Sequence, residues 1–200
     1  RATLLLARAA RVRPARDEKI LVAWNGMAIA GLARAGRALE RADLVDAATA
    51  AMGFLRQHCW QDGRLLAVHA EGRARFAACL DDYALLAWGL LELLEARWDA
   101  DALAWAIELT EVMLAHFTDA EHGGFFFTAD DHEALIVRPK TFSDDATPAG
   151  NGVAARVLLD AVLDAIQVAG EPLHAHLEGR GTAVATLVQI QLNGRLRPPQ

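Results

Sequence analysis

Two hundred residues suffice for one domain with a real core, and 54% apolar against 23% charged residues is a greasy composition for a water-exposed fold. A net charge of −6, with no clustered Lys/Arg stripe, excludes a general nucleic-acid binder. Arg34, Glu92 and Glu95 break the apolar runs before any reaches the roughly 18 residues of a membrane span.

Helical patterns follow one another along the chain. Trp24 to Ala33 carries no charge and the run stays apolar through Leu39, predicting a helix buried on most sides. Asp43 to His58 is one-sided, with Leu44, Ala47, Ala48, Ala51, Phe54 and Leu55 sharing a face at 100° per residue. Tyr83 to Ala96 is apolar nearly all round, with Glu92 and Glu95 in a narrow polar wedge. A stripe from Leu103 to Phe117 is one-sided again, and Val153 to Ile166 is interrupted only by Arg156, Asp160 and Asp164. Helices buried all round thus alternate with helices buried on one side, as inner and outer layers of antiparallel helices require.

The junctions repeat as well. One-sided helices end in "CWQDGR" (Cys59–Arg64) and "FTDAEHGG" (Phe117–Gly124); the others begin near "WNG", "DDY" and "AGNG". The pattern is an internal repeat of helical hairpins. "GGFFFTADDHEALIVRPK" (Gly123–Lys140) reads as a β-hairpin, since aromatic and β-branched runs flank a polar turn. A loop rich in Asp, Pro and Gly follows. "GTAVATLVQIQLNGRL" is a weak candidate for a last helix ending at Asn193-Gly194.

Two cysteines, Cys59 and Cys79, form neither a CxxC nor a disulfide framework, so no disulfide between them and a reducing, cytoplasmic compartment are the default expectations. The chain begins at Arg1 without a methionine or signal-like segment, as a fragment would, and high apolar content with few helices to cover the inner layer predicts self-association through uncovered apolar surface.

Four blocks in this order carry a family resemblance: "RVRPARDEKILVAWNGMAIAGLARAG", "LDDYALLAWGLLELLEA", "GGFFFT" and "LIVRPKTFSDDATPAGNGVAA". From about Arg8 to Leu163 the chain resembles the YyaL-like, spermatogenesis-associated thioredoxin-domain-containing family. The resemblance implies an all-α fold, part of an (α/α)6 toroid similar to six-hairpin glycosidases and N-acylglucosamine 2-epimerases. The thioredoxin-like domain of family members is not in this sequence, so no redox activity is implied for it. "PAGNG" stands where the family has "PSGNS", Glu18 where a second aspartate is common, and the tail after Asp164 departs from the expected helix.

In such toroids the starts of the inner helices line a central pocket. By that analogy Trp24, Asn25, Asp81, Asp82, Tyr83, Asp144, Asp145 and Asn151 converge on one cleft, with Arg13, Lys19, Arg138 and Lys140 adding positive charge. Asp81, Asp82, Asp144 and Asp145 are the candidate catalytic carboxylates, because glycosidic cleavage uses one raised acid and one ionised partner. Trp24 and Tyr83 would offer stacking faces, and Asn25, Arg138, Lys140 and Asn151 polar contacts. A plainer reading stands beside each: Asp81 or Asp82 as a helix N-cap, Asn151 as a cap or turn residue, the tryptophans Trp88, Trp98 and Trp105 as core.

No zinc-spaced His/Cys cluster, GxSxG, phosphate loop or dinucleotide fingerprint occurs, so neither metal nor cofactor is expected. The expected role is binding or processing of a carbohydrate-like small molecule. The alternatives are a non-catalytic module beside a thioredoxin-like domain, and a sugar epimerase with a histidine base.

Overall fold

The computed structural model describes residues 1–133 and 135–169. Six helices, α1 (Ala2–Ala9), α2 (Val22–Ala38), α3 (Ala42–Cys59), α4 (Leu80–Ala96), α5 (Ala100–Phe117) and α6 (Gly150–Ala169), carry the described chain. Four short strands, β1 (Ile20–Leu21), β2 (Trp60–Gln61), β3 (Arg64–Ala70) and β4 (Arg73–Ala77), form a small antiparallel sheet. The candidate helix near Asn193 lies outside the described residues.

The two-layer packing expectation holds, but α2 is not buried on most sides as its uncharged run predicts: Trp24, Ala28, Gly31 and Arg34 form an exposed face opposite its buried one. α4 packs between α2 and α6, while α3 covers α2 and α5 covers α4. α4 buries Leu80, Tyr83–Ala87, Gly89, Leu90, Glu92 and Leu93, because its apolar residues go all the way round and each neighbouring helix takes a side. The one-sided helices behave differently: α3 buries only Val45, Ala48, Leu55 and Cys59, and its Ala47 faces water. α5 buries Trp105, whereas Trp98, just before that helix, is 71% exposed and is no core residue.

Two glycines set the spacing of the inner pair. A Cβ on Gly26 would meet the Leu85 carbonyl at 2.6 Å, and one on Gly89 would meet the Gly26 oxygen at 2.6 Å. The backbones of α2 and α4 therefore touch, and only glycine fits at either place. Further along the same seam Glu92, 7% exposed, accepts from the Trp88 indole N–H (3.1 Å) and lies 3.5 Å from Arg34 and 3.8 Å from Arg37. The polar wedge of α4 is thus the half of the seam that α2 answers with arginines.

The sheet joins α3 to α4, where the hairpin repeat alone suggests only a turn. Asp62-Gly63 (φ 50° and 73°) turns β2 into β3, and Glu71-Gly72 (φ 52° and 76°) turns β3 into β4. Positive φ at both central residues is the hairpin-favouring turn geometry, which Asp-Gly announces and Glu-Gly announces less plainly. β1 adds to the other side of β3, Ile20 opposite His69, so the sheet also fixes the entry to α2.

The hairpin expected over 123–140 is not there among the described residues. That segment makes one isolated bridge, Thr118 with Phe125, and one cross-link from the Phe127 N–H to the Pro139 carbonyl at 2.8 Å. Side chains take the groups a ladder would have used. Asn151 of α6 accepts from the Phe125 N–H (2.8 Å) and donates to the carbonyls of Phe125 (2.9 Å) and Thr141 (3.1 Å). The Arg138 guanidinium donates to the carbonyls of Thr128 and His116. Backbone polarity is satisfied, but by Asn and Arg rather than by a partner strand.

Candidate functional site at the inner-helix starts

α2, α4 and α6 begin at one end of the inner layer, and the Asp81-Asp82 pair joins them there. Asp82 is the third residue of α4. Its carboxylate accepts from the Cys79 N–H (3.0 Å), closing the first turn of its own helix, and from the Ala23 N–H (3.1 Å) in the first turn of α2. Asp81 faces the other way. Its carboxylate lies against Gly150, the first residue of α6, so close that a Cβ on Gly150 would collide with it. Two adjacent aspartates are needed because adjacent helical residues point about 100° apart, and α4 has a helix start on each side. Each carboxylate also sits where the positive end of a helix dipole favours it.

Burial nevertheless dominates the proton affinity of both. It pushes Asp82 up to about 6, against the lowering effect of the Cys79 and Ala23 N–H groups. Asp81 is also raised by burial, with the Gly150 N–H opposing. Asp144 comes to the same helix start, accepting from the Ala149 N–H at 2.9 Å, one residue before Gly150. Asp145 does not join them: it is exposed, and its N–H goes to the Thr147 carbonyl.

The remaining candidates divide. Trp24, on the first turn of α2 beside Asp82's donor, is 62% exposed and presents an indole at this end. Asn25 donates to the Leu21 carbonyl at 2.8 Å and holds its own helix start. Tyr83 offers no stacking face, being 1% exposed; its ring lies 5.4 Å from that of Phe117 and its hydroxyl accepts from the Leu65 N–H at 2.9 Å. A core tyrosine that anchors the sheet fits the apolar run around it. Asn151 spends both ends of its amide on the 125–141 loop.

Arg138 and Lys140 are loop fasteners. Both lie over the Phe126 ring, at 4.2 and 5.0 Å, and Lys140 also donates to the Gly123 carbonyl and pairs with Asp119. The Lys140 ammonium, with the N–H groups of His122 and Glu121, holds Asp119 far below the usual carboxylate range. Arg13 and Lys19 are exposed, Lys19 paired with Asp17.

A second cluster has no counterpart in the sequence pattern. His116 Nδ1 lies 2.7 Å from Asp130 Oδ1 and 4.0 Å from Asp131 Oδ2, close enough together for three metal ligands. Arg64, however, takes both oxygens of Asp131 (2.7 and 2.8 Å), and Asp130 is held by the imidazole. The ligand atoms already satisfy one another, so the donor set reads as an ion-pair network rather than a metal centre. Nothing in the sequence joins Arg64 to a carboxylate 67 positions away. Among the described residues no histidine is part of the inner-helix joint either: the His58 ring lies tilted 4.5 Å from that of Phe54, and the His69 ring meets Phe54 edge-on at 5.1 Å. Cys59 and Cys79 are free thiols, both pushed up to about 11 by burial.

The human protein named spermatogenesis-associated protein 20 is 34% identical over 167 residues, 78% of this chain and 21% of that one. The rat protein of the same name is 35% identical over an equal span, and an uncharacterised protein of Caenorhabditis elegans is 30% identical over 161 residues. This chain belongs to the spermatogenesis-associated protein 20 family. It spans about a fifth of the length of these relatives. No family model matches the chain. Among solved structures, a cellobiose 2-epimerase from Spirochaeta thermophila superposes with a TM-score of 0.56 at 16% identity, over 83% of this chain and 42% of the epimerase. The alternating inner and outer helices are therefore part of an (α/α)6 toroid. Among the described residues no helix is long and apolar enough to cross a membrane.

Proposed function

We propose that the end of the toroid where α2, α4 and α6 begin binds a carbohydrate-like small molecule and that Asp81 and Asp144 are its working carboxylates. One observation carries the reading. Asp81 and Asp144, far apart in sequence, meet at consecutive residues: the Asp81 carboxylate lies against Gly150 and Asp144 accepts from the Ala149 N–H, so a pair of carboxylates gathers at one helix start. Glycosidic chemistry uses such a pair, the acid raised by burial and its partner ionised. Asp81 is the half-buried, raised member and Asp144 the exposed one. Trp24 supplies the exposed apolar face on which a sugar ring packs. Asp82 is held by two backbone donors and is assigned to the framework, as are Tyr83 and Asn151.

The test is a titration of the purified chain with a small panel of disaccharides, cellobiose included, followed by saturation-transfer NMR. Saturable binding, weakened roughly tenfold by Trp24→Ala, is the expected result. With a turned-over substrate, Asp81→Asn removes turnover while leaving the melting temperature within a few degrees. Absence of binding by every sugar, or binding indifferent to Trp24, sinks the proposal.

A non-catalytic module working beside a thioredoxin-like domain is the second reading, favoured by the fact that Asp82 and Asp144 accept backbone N–H groups and Asp81 packs against the first residue of α6. It expects Asp81→Asn to lower stability and to leave sugar binding unchanged. Epimerisation is less supported, because no imidazole among the described residues takes part in the joint to act as a base.

A further inference from the structure

We infer that Asp82 is a positioning residue for Trp24: from α4 it holds the first turn of α2, and so fixes where the exposed indole stands. The inference rests on the sugar-binding reading for its functional meaning, and on hydrogen-bond geometry for its structural one. Ala23, whose N–H Asp82 accepts at 3.1 Å, immediately precedes Trp24 and lies 59 positions from Asp82 in sequence. No side chain of its own caps α2: its N-cap is Leu21, which carries no acceptor. The first N–H groups of a helix have no intrahelical partner, so an outside acceptor decides how firmly that turn is held.

The other Asp82 oxygen is fixed on the Cys79 N–H at 3.0 Å, which leaves the carboxylate no freedom to follow a drifting α2. A few residues further along, the Gly26–Gly89 contact pins the helix axes together. Between them, these contacts define both the approach of α2 and the rotation of its first turn.

The groups that bear on Asp82 are Asp81, from the same turn, and the Cys59 and Cys79 thiols, at the end of α3 and the start of α4. Asp81 raises Asp82 further, and both thiols stay neutral through the acid range, so Asp82's own proton decides the strength of the Ala23 bond. An ionised acceptor makes the stronger bond to an amide.

The experiment follows the indole N–H and backbone amide resonances of the 15N-labelled full chain between about pH 4.5 and 8, a window that brackets Asp82's titration. Trp24 is assigned with Trp24→Phe. The expected result is that the Trp24 indole and the Ala23 amide move together with a midpoint near 6. In Asp82→Asn that movement disappears while the Trp60, Trp88, Trp98 and Trp105 signals keep their positions. Asp81→Asn serves as the control: it displaces the Gly150 amide, while the Trp24 titration persists with a lower midpoint, since the Asp81 charge that raises Asp82 is gone. A folded Asp82→Asn protein with Trp24 unshifted overturns the inference. Should that variant fail to fold, wild-type protein whose Trp24 and Ala23 signals do not titrate overturns it equally. Cellobiose binding is then compared between the two proteins: a roughly threefold to tenfold weakening in Asp82→Asn, the scale of one lost hydrogen bond, is expected. No binding by wild type defeats the sugar reading alone, since the resonance titration does not depend on it.

Discussion

At Asp82 burial lifts the carboxyl group to about 6, from the 3.8 of a freely solvated aspartate. The folded chain therefore binds this proton more tightly than the unfolded chain. Its contribution to stability is complete below the unfolded value and is lost as the pH rises through 6. A rise of that size corresponds to about 2–3 kcal/mol. Chemical denaturation at about pH 4.5 and 7.5, on either side of the folded value, checks the sign: the slope of stability against pH should be smaller in Asp82→Asn across that window. An unchanged slope would mean that Asp82 is as well solvated when folded as when unfolded. Gly150 gives a second residue-scale test. Gly150→Ala drives a methyl into the Asp81 carboxylate, so the Asp81–α6 contact should be disrupted and thermal stability fall. A cost of roughly 1–3 kcal/mol is expected from overpacking.

Among the elements, the α2–α4 seam and the 118–141 loop respond in different ways. Gly26→Ala or Gly89→Ala sets a Cβ 2.6 Å from backbone, and backbone cannot step aside as a side chain can. Each change should lower stability by ~2 kcal/mol or more and displace α2, read as altered amide shifts along both helices. The loop is held by side chains. Asn151→Ala leaves the Phe125 N–H and two carbonyls without their partner, at a cost of about 2–4 kcal/mol. Hydrogen exchange should accelerate at Phe125 while α2 keeps its protection. Uniform acceleration throughout the chain would show that the loop does not open on its own.

On the scale of the whole molecule, α4 is the element that makes one body of the rest, because it packs against both flanking inner helices and against α5. Leu86 and Leu90 lie fully buried on it. Leu86→Ala should therefore cost ~2–5 kcal/mol, and tryptophan fluorescence and far-UV circular dichroism should report the same shifted midpoint. Separate midpoints would show that the inner helices unfold independently. The acidic balance of the chain is compatible with this body, because several arginines are committed to carboxylates: Arg37 to Glu95, Arg64 to Asp131 and Arg97 to Asp46.

Periodicity by itself determined the helices α2 to α6, the all-round burial of α4 and the two-layer arrangement, but it overstated the burial of α2. Those are local properties, since a 3.6-residue repeat records how many sides of a helix meet other protein. Sequence also marked Trp24, Asp81 and Asp82 as residues at helix starts, while Asp144, on the loop before α6, joined them only through the family resemblance. Only the tertiary structure decided how they divide. Tyr83 and Trp24 are both aromatic residues beside an inner-helix start, yet one is 1% exposed and the other 62%. The difference comes from the sheet and Phe117 closing over Tyr83, contacts made by distant segments. The β-hairpin expected over 123–140 fails for a related reason. Aromatic and β-branched composition favours strands wherever it occurs, but a strand needs a partner, and here Asn151 and Arg138 take backbone groups that a partner would use. Asp81 and Asp82 differ only in direction, about 100° along one turn of α4; that angle selects α6 for one and α2 for the other, and no one-dimensional pattern shows which helix stands on which side.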